Sequence, residues 1–102
     1  MTDCIFCKII SGEIKTDFVY ENEHLVVFKD IHPKAPVHLL VVPRPHVESL
    51  NELEDKVLMG ELLQGVKDVT KKIGLKAYRV QINNGKEAGQ EVFHLHLHVL
   101  GR

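Results

Sequence analysis

Apolar and polar residues alternate near the end of the chain in the pattern of a β-strand. From His94 to Leu100 the chain reads His-Leu-His-Leu-His-Val-Leu. Because successive side chains of a strand point to opposite faces, the three histidines share one face and the aliphatic residues share the other. The pattern therefore predicts a strand that buries its aliphatic face and presents a row of three imidazoles. Such a row indicates a functional site, since each ring can be a nucleophile, a proton carrier, a hydrogen-bond donor or a metal ligand.

A second pattern, with apolar residues three or four positions apart, predicts one long helix in the middle of the chain. The apolar positions are Leu58, Leu62, Val66, Val69 and Ile73. This spacing is typical of an amphipathic helix of about five turns that faces the core and ends at Gly74. Ser49 and Glu52 have the spacing of a capping box, which predicts that the helix begins near them.

Shorter apolar runs between turn-forming residues predict the other elements. These are a short helix over residues 5–10, two strands over 18–21 and 24–29 joined at Asn22-Glu23, and further strands over 38–42 and 77–83. A proline-marked turn covers residues 30–36 and a glycine-containing loop covers 84–90. Short connections and one long helix indicate an α+β fold, with a sheet of about five antiparallel strands, one long helix and one short helix.

Length and charge narrow the class of protein. A chain of 102 residues predicts a single domain over residues 1–102. The net charge of -1 argues against non-specific nucleic-acid binding, which needs clustered positive charge. No apolar run approaches the roughly 20 residues of a membrane helix, and the N-terminus has neither the basic start nor the apolar core of a signal peptide. We therefore expect a cytoplasmic protein that binds neither nucleic acid nor membrane.

Three motifs make the chain similar to the histidine triad (HIT) family. They are the His94–His98 strand preceded by Gly89-Gln90, the strand before it that ends at Asn83, and the opening Cys4-Ile5-Phe6-Cys7-Lys8-Ile9-Ile10. The resemblance covers essentially the whole chain and implies a HIT-like fold. It is closest to the Hint-like branch, the nucleoside phosphoramidate hydrolases. The ending Val99-Leu100-Gly101-Arg102 fits that branch, whereas dinucleoside polyphosphate hydrolases typically have proline where Gly101 stands.

The chemistry of imidazole suggests how the histidines work. A neutral imidazole can attack phosphorus without first losing a proton, and His96 is the natural nucleophile because it has histidine neighbours on both sides. His98 can donate to a phosphate oxygen or to the leaving group, and His38 on a neighbouring strand could fix the tautomer of His96. The resemblance implies the same roles, with His96 as nucleophile and His38, His94 and His98 assisting.

The implied reaction is hydrolysis of a purine nucleoside 5′-phosphoramidate to AMP or GMP and an amine. It passes through a covalent nucleotidyl-histidine and needs no metal for the chemical step. Three histidines on one strand can also bind zinc, but Gly89-Gln90 and the whole-chain resemblance favour catalysis. The alternatives are a dinucleoside polyphosphate or nucleotide-sulfate hydrolase, and a non-catalytic nucleotide-binding module or zinc-stabilised adaptor.

Nucleotide-binding residues are assigned through the resemblance. Asp30 matches a carboxylate that accepts both ribose hydroxyls, although an aspartate in this position can also simply cap the turn. Asn83 and Gln90 are expected to hold the phosphate through a side-chain amide or a main-chain N–H. The remaining nucleotide-binding positions, each of which could equally be plain core, are Phe6, Ile9, Phe28, Ile31, Leu40 and Val92.

The cysteines raise a separate question of zinc. Cys4 and Cys7 have the spacing of half a structural zinc site, and His46 and His94 could complete a Cys₂His₂ tetrahedron, as in many bacterial family members. Such a site would join the N-terminal helix to the sheet and hold the first histidine of the triad. The alternative is two reduced, packed cysteines with a surface His46. His24 and His32 are expected to be exposed turn residues without a function.

The chain departs from the Hint-like pattern at two places. Glu91 stands where that branch usually has serine. Its carboxylate would repel the phosphate if it pointed inward. It could instead point to solvent or favour a cationic leaving group such as a lysine amine, so the preferred leaving group is left open. The chain ends at Arg102 and has no tryptophan, whereas the branch often carries a C-terminal tail with an aromatic residue, so we expect relaxed selectivity for the substrate's side chain. A homodimer is also expected, mainly from the family, with the long helix and the 77–83 strand as contact elements.

Overall fold

A single antiparallel sheet with a helix on each face organises residues 3–102, the part of the chain that this computed structural model describes. Its elements are α1 (Ile5–Ser11), β1 (Tyr20–Glu21), β2 (Leu25–Lys29), β3 (Val37–Pro43), α2 (Lys56–Ile73), β4 (Tyr78–Gln81) and β5 (Leu97–Gly101). The strand order is β1-β2-β3-β5-β4, and every neighbouring pair is antiparallel. Two 3₁₀ turns, Leu50–Glu52 and Lys86–Ala88, lie in the connections. The predicted fold is confirmed.

The alternation of side chains along the central strands produces two cores. The face toward α2 buries residues of every other position, Leu25, Val27, Leu39, Val41, Leu97 and Val99, against Leu58, Leu62, Val66 and Val69 of the helix. The opposite face packs Val26, Phe28, Leu40 and Val42 against Phe6 and Ile9 of α1. Since β2 and β3 are apolar on both faces, the sheet is covered on both sides at its centre, and α1 lies on the face where the histidines are found.

The long helix begins later than the sequence pattern predicts. Ser49 does accept a hydrogen bond at its side chain, but from Asn51 N–H, and it starts only the short 3₁₀ turn. The helix itself starts at Lys56, with the Asp55 carboxylate accepting from Leu58 N–H. The intervening Leu53 is extended and 5% exposed, because its side chain packs in the α2-side core. The predicted end is confirmed, since Gly74 adopts φ 76°, the left-handed conformation typical of a helix C-terminus.

The histidine strand is shorter than the alternation predicts. Its ladder with β3 starts at Leu97, opposite Val41, and the segment containing His94 and His96 precedes it outside the sheet. Continuing the register would place Leu95 opposite Pro43, which has no N–H to donate. Leu95 N–H donates instead to the Val47 carbonyl at 2.7 Å.

Side chains in this segment nevertheless keep the predicted alternation. Leu95, Leu97 and Val99 all lie in the α2-side core, and His94 and His96 are buried on the other side. Among the helices of residues 3–102, none has the length and apolar character that crossing a membrane requires.

Candidate functional site

The nucleophile expected from the sequence, His96, has its ring held by a main-chain carbonyl two residues earlier in the chain. Its Nδ1 lies 2.8 Å from the carbonyl oxygen of His94. Because a carbonyl can only accept, Nδ1 carries the ring proton and Nε2 keeps its lone pair. Phe6 of α1 packs edge-on against the ring with 5.1 Å between centroids. Burial lowers the pKa of His96, so the ring is neutral and its Nε2 is available as a nucleophile near pH 7.

His38 orients His98, and the prediction that it fixes the tautomer of His96 is wrong. His38 and His98 lie on the same face of neighbouring strands, because Leu40 pairs with His98 and His38 pairs with Leu100. The His38 Nε2 is 2.9 Å from His98 Nδ1, and the ring centroids are 5.1 Å apart. The sheet register therefore joins these two rings, while a main-chain carbonyl has taken the role expected for His38.

The surroundings of His98 keep it neutral. Burial, the neighbouring His96 and His38 rings and the Lys34 ammonium lower the pKa of His98 to about 4, while the Asp30 carboxylate opposes the shift. His96 and His98 lie edge to face with centroids 5.0 Å apart. His98 is only half-buried, so its outer nitrogen can reach a bound ligand.

Asp30 combines the two roles that the sequence left open. Its Oδ1 accepts the main-chain N–H of His32 at 2.8 Å, which is the turn-capping role. Its Oδ2 lies 3.4 Å from the Nε2 of buried His38. The carboxylate is thus held at the edge of the histidine group with one oxygen already occupied by the turn.

The structure does not support Gln90 as a phosphate ligand. Its amide NH₂ donates to the carbonyls of Glu48, at 2.6 Å, and Val92, at 3.0 Å, while its Oε1 accepts from Gly85 N–H at 2.8 Å. Its main-chain N–H donates to the Gly85 carbonyl. An anion needs donors, and all three donors of buried Gln90 are occupied inside the protein. The residue instead holds the 84–90 loop against the segment before the histidines.

The other predicted nucleotide contacts separate into two groups. Phe6, Ile9, Phe28 and Leu40 are buried together beneath α1, with half-buried Val92 against them. Ile31 is 85% exposed and does not join this cluster. Half-buried Asn83 accepts from the Gln81 amide at 3.3 Å, and its Nδ2 lies beside Gly89, 3.7 Å from where a side chain there would begin. Glu91 is exposed.

The four predicted metal ligands are brought together by the fold. The ligand atoms of Cys4, Cys7, His46 and His94 all lie within 4.8 Å of one another. The Nδ1 of His94 is 3.4 Å from Cys4 Sγ and 3.6 Å from Cys7 Sγ, and the Nδ1 of His46 is 3.3 Å from Cys7 Sγ. Zn–S and Zn–N bonds at a tetrahedral angle place sulfur and nitrogen about 3.6 Å apart, which these distances match.

Proton positions at this cluster also suit a cation. The Nε2 of His94 is 2.7 Å from the Pro43 carbonyl and must carry the ring proton, so Nδ1 offers a lone pair to the cysteines. Burial and the neighbouring Cys4 raise the pKa of the Cys7 thiol to about 11. A bound divalent cation would offset this rise in the pKa, because it binds and stabilises the thiolate directly.

A second group of possible ligands, Asp30, His38 and His98, also has its ligand atoms within 4.8 Å. Its hydrogen bonds oppose a metal, however. The main-chain N–H of Lys34 donates to His38 Nδ1 at 3.0 Å, so the ring proton of neutral His38 sits on Nε2, where a metal would have to bind. The donor pattern therefore favours metal at the cysteine cluster and hydrogen bonding at this one.

Main-chain groups are the functional partners that sequence reasoning missed. The Lys34 amide, the His94 carbonyl and the Pro43 carbonyl each set the proton position of one histidine. No side-chain motif signals such groups. For Lys34, the proline turn four residues before His38 is the signal that could have pointed to it.

Comparison with known proteins gives consistent matches over almost the whole chain. The model of the HIT domain matches residues 11–102. Protein HitA of Neisseria gonorrhoeae is 46% identical over 104 residues, covering 99% of this chain and 97% of that protein. A histidine triad protein from Clostridium difficile superposes with a TM-score of 0.95 at 40% identity, covering 100% of this chain and 92% of the other. A HIT family hydrolase from Legionella pneumophila gives a TM-score of 0.92 at 40% identity, covering 97% and 92%.

Proposed function

The chain belongs to the HIT family, and from this premise we propose that it hydrolyses purine nucleoside 5′-phosphoramidates to AMP or GMP and an amine. The family and its hydrolase relatives support a nucleotide hydrolase in general. The observation that carries the proposal is the state of His96, a neutral ring whose Nδ1–H is held by the His94 carbonyl. This leaves Nε2 as an oriented nucleophile.

The proposed reaction has two displacements at phosphorus. His96 Nε2 forms a bond to phosphorus as the P–N bond breaks, and the amine leaves with a proton from water. Positive charge develops on the His96 ring, and the His94 carbonyl that accepts Nδ1–H stabilises it. The hydroxide formed from that water then attacks phosphorus and displaces His96 Nε2, which regains its lone pair, so that one water is consumed overall. His98 supplies a hydrogen bond to the phosphoryl oxygens, whose charge is the main electrostatic requirement of phosphoryl transfer.

The nucleotide is proposed to bind along the α1 face of the sheet. Asp30 Oδ2, which the turn does not occupy, would accept a ribose hydroxyl, and the apolar cluster around Phe6 and Phe28 would contact the purine. Asn83 would hold the phosphate through its Nδ2. Gln90 is not proposed for this role, because its donors are all hydrogen-bonded within the protein. Ile31, whose side chain is exposed, would make an apolar contact with a nucleotide bound over it.

Cys4, Cys7, His46 and His94 are proposed to hold a structural Zn²⁺. The sulfur–nitrogen distances and the lone pair on His94 Nδ1 support this assignment. When bound, the ion would supply a rigid link between the start of α1 and the histidine segment. The phosphoryl-transfer step itself uses ring nitrogens and is proposed to need no metal.

A homodimer is proposed through the open edge at β4. Tyr78 and Val80 of this strand remain 37% and 40% exposed, and Leu63 on the outer face of α2 is 57% exposed. Within residues 3–102 no strand pairs with the outer edge of β4. A two-fold contact would cover these apolar side chains and the open edge together.

The function is tested by incubating the purified protein with adenosine 5′-phosphoramidate and measuring AMP by chromatography. We expect turnover in the wild type and a decrease of at least about 10⁴-fold in His96→Ala, which lacks the nucleophile. His24→Ala is the control, because this histidine lies outside the site. A stalled nucleotidyl adduct on the protein, detected by mass spectrometry in the wild type and absent from His96→Ala, would identify the intermediate.

Assays of other substrates under the same conditions distinguish the proposed activity from its alternatives. Faster hydrolysis of a dinucleoside polyphosphate than of the phosphoramidate would replace the P–N assignment with the P–O–P assignment. AMP binding without turnover of either substrate would reduce the protein to a nucleotide-binding module.

A further inference from the structure

The hydrogen bonds around His38 have a fixed direction that begins in the main chain. The amide of Lys34, in the proline turn, donates to His38 Nδ1 at 3.0 Å. A main-chain N–H cannot accept, so Nδ1 must hold a lone pair at this contact. The single ring proton of His38 therefore sits on Nε2, and a second ring proton on Nδ1 would face another N–H.

The same direction continues to His98. His38 Nε2 is 2.9 Å from His98 Nδ1, so the Nε2–H donates and His98 Nδ1 accepts. The ring proton of His98 then belongs on its own Nε2, the nitrogen turned away from His38. An imidazolium at His98 would place a second N–H against that of His38, which the arrangement opposes.

We propose that the Lys34 main-chain amide, acting through His38, is a positioning group that holds His98 as a neutral hydrogen-bond donor with its proton on Nε2. His38 is then a fixed donor and passes no proton along the chain. The inference rests on the proposed function in one respect, namely that His98 Nε2–H faces a phosphoryl oxygen in the substrate complex.

Burial of His38 supports this role. His38 is 5% exposed as a residue and its side chain is 1% exposed. The nearby Asp30 Oδ2, at 3.4 Å from His38 Nε2, can only accept, so it also favours a proton on Nε2. Each contact of the His38 ring therefore points to the same tautomer.

Nitrogen NMR of the wild-type protein, uniformly labelled and free of substrate, tests the proposal directly. For His38 and His98 we expect Nδ1 to show the shift of an unprotonated ring nitrogen and Nε2 that of a protonated one at pH 7. Protonation of both nitrogens of His38, or a mixture of tautomers in either ring, would overturn the proposal. Because no substrate is present, this result does not depend on whether the protein hydrolyses phosphoramidates.

Two variants of His38 with the same shape, one a hydrogen-bond donor and the other only an acceptor, test whether catalysis requires a donor facing His98 Nδ1. In His38→Gln an amide NH₂ can still donate to His98 Nδ1, whereas in His38→Glu a carboxylate can only accept. Both side chains carry an oxygen that can accept from Lys34 N–H, so they differ chiefly in what they offer His98. We expect His38→Gln to keep kcat/KM within about tenfold of wild type and His38→Glu to lose about 100-fold or more, comparable to the loss when one donor to a developing oxyanion is removed.

Equal losses in the two variants would indicate that His38 carries a proton and would overturn the fixed-donor role. The NMR spectrum of His38→Glu should show the His98 proton moved to Nδ1, a change that a purely structural role does not produce. Replacing the Lys34 amide by an ester through semisynthesis should allow His38 to take up both tautomers, while Lys34→Ala, which keeps the main-chain N–H, should not. Unchanged tautomers in the ester would exclude Lys34 as the origin.

Discussion

At the scale of single residues, main-chain partners decide what each histidine can do. His96 and His94 both donate to carbonyls, but through different nitrogens, Nδ1 in His96 and Nε2 in His94. His96 is consequently left with a lone pair at Nε2, suited to attack, and His94 with one at Nδ1, suited to a metal. Identical side chains two positions apart thus acquire different chemistry from the oxygen that each ring meets.

The lowered pKa of His98 predicts a dependence of stability on pH. Its pKa is about 4 in the folded protein, against an ordinary value of 6.5 in the unfolded chain. Between these values the unfolded state binds more protons, so the free energy of unfolding falls as the pH decreases from about 6.5 toward 4. We expect urea unfolding to show a smaller loss of stability between pH 7 and pH 5 in His98→Gln than in the wild type. The exposed His32, changed to Gln, serves as the control and should leave that difference unaltered.

At the scale of elements, α1 is a seven-residue helix that depends on its contacts for stability. Its first turn is held by Cys4 Sγ, which accepts from Cys7 N–H, and it ends at Gly12 in the left-handed conformation. An isolated helix this short is not stable in water, so packing against the sheet and the cysteine cluster must hold it. The element that covers the proposed purine site is therefore also the one that a metal would fix.

The cysteine cluster predicts that metal content and thermal stability change together. We expect about one zinc per chain in the wild type and its loss in His46→Ala, measured by elemental mass spectrometry. Free metal at about 100 times its Kd adds about 2.7 kcal/mol to stability, which corresponds to a Tm higher by roughly 10 °C or more. Chelation of the wild type should lower Tm by a similar amount.

His24→Ala, which removes a histidine outside the cluster, should retain both the metal and the Tm. Wild-type protein without zinc after growth in zinc-supplemented medium, or equal zinc in His46→Ala, would argue for two reduced cysteines without a metal.

At the scale of the whole molecule, the sheet order separates the proposed catalytic site, in the interior of the sheet, from the proposed dimer contact, at one edge. The order β1-β2-β3-β5-β4 places β3 and β5, which carry His38 and His98, in the interior of the sheet. β4 lies at the edge, with all four of its residues exposed. The interior strands, paired on both sides, suit a site that needs fixed distances, and the open edge suits association with a second chain.

The open edge predicts the oligomeric state. Light scattering after size exclusion should give a dimer for the wild type, and Val80→Lys should shift it to a monomer because a charge would be buried in the contact. Ile14→Lys is the matched control, since this residue is also partly exposed but lies in the loop after α1. A monomeric wild type, or a dimer that both variants leave intact, would contradict the β4 contact.

Features with a local periodic cause were predictable from the sequence. The stripe from Leu58 to Ile73, the left-handed glycine at Gly74 and the alternation of Leu95, Leu97 and Val99 follow from the geometry of helices and strands. The start of α2 was not predictable from the Ser49–Glu52 spacing. Leu53 is buried in the core, and the chain is extended there, between the 3₁₀ turn and the start of α2 at Lys56. The family resemblance gave the candidate residues, and the fold brought most of them together.

The sequence by itself determined the groups available for chemistry, namely the histidine row and the cysteine pair. It also determined the long helix that packs against the sheet. Only the tertiary structure decided their partners. In the folded chain His38 is hydrogen-bonded to His98, and His96 donates to the His94 carbonyl. The donors of Gln90 are hydrogen-bonded to main-chain carbonyls of the 84–90 loop and its neighbours. The physical reason is that a proton position in a ring depends on the nearest donor or acceptor. The groups that fix it are main-chain atoms, which every residue carries and which only folding brings to a particular ring.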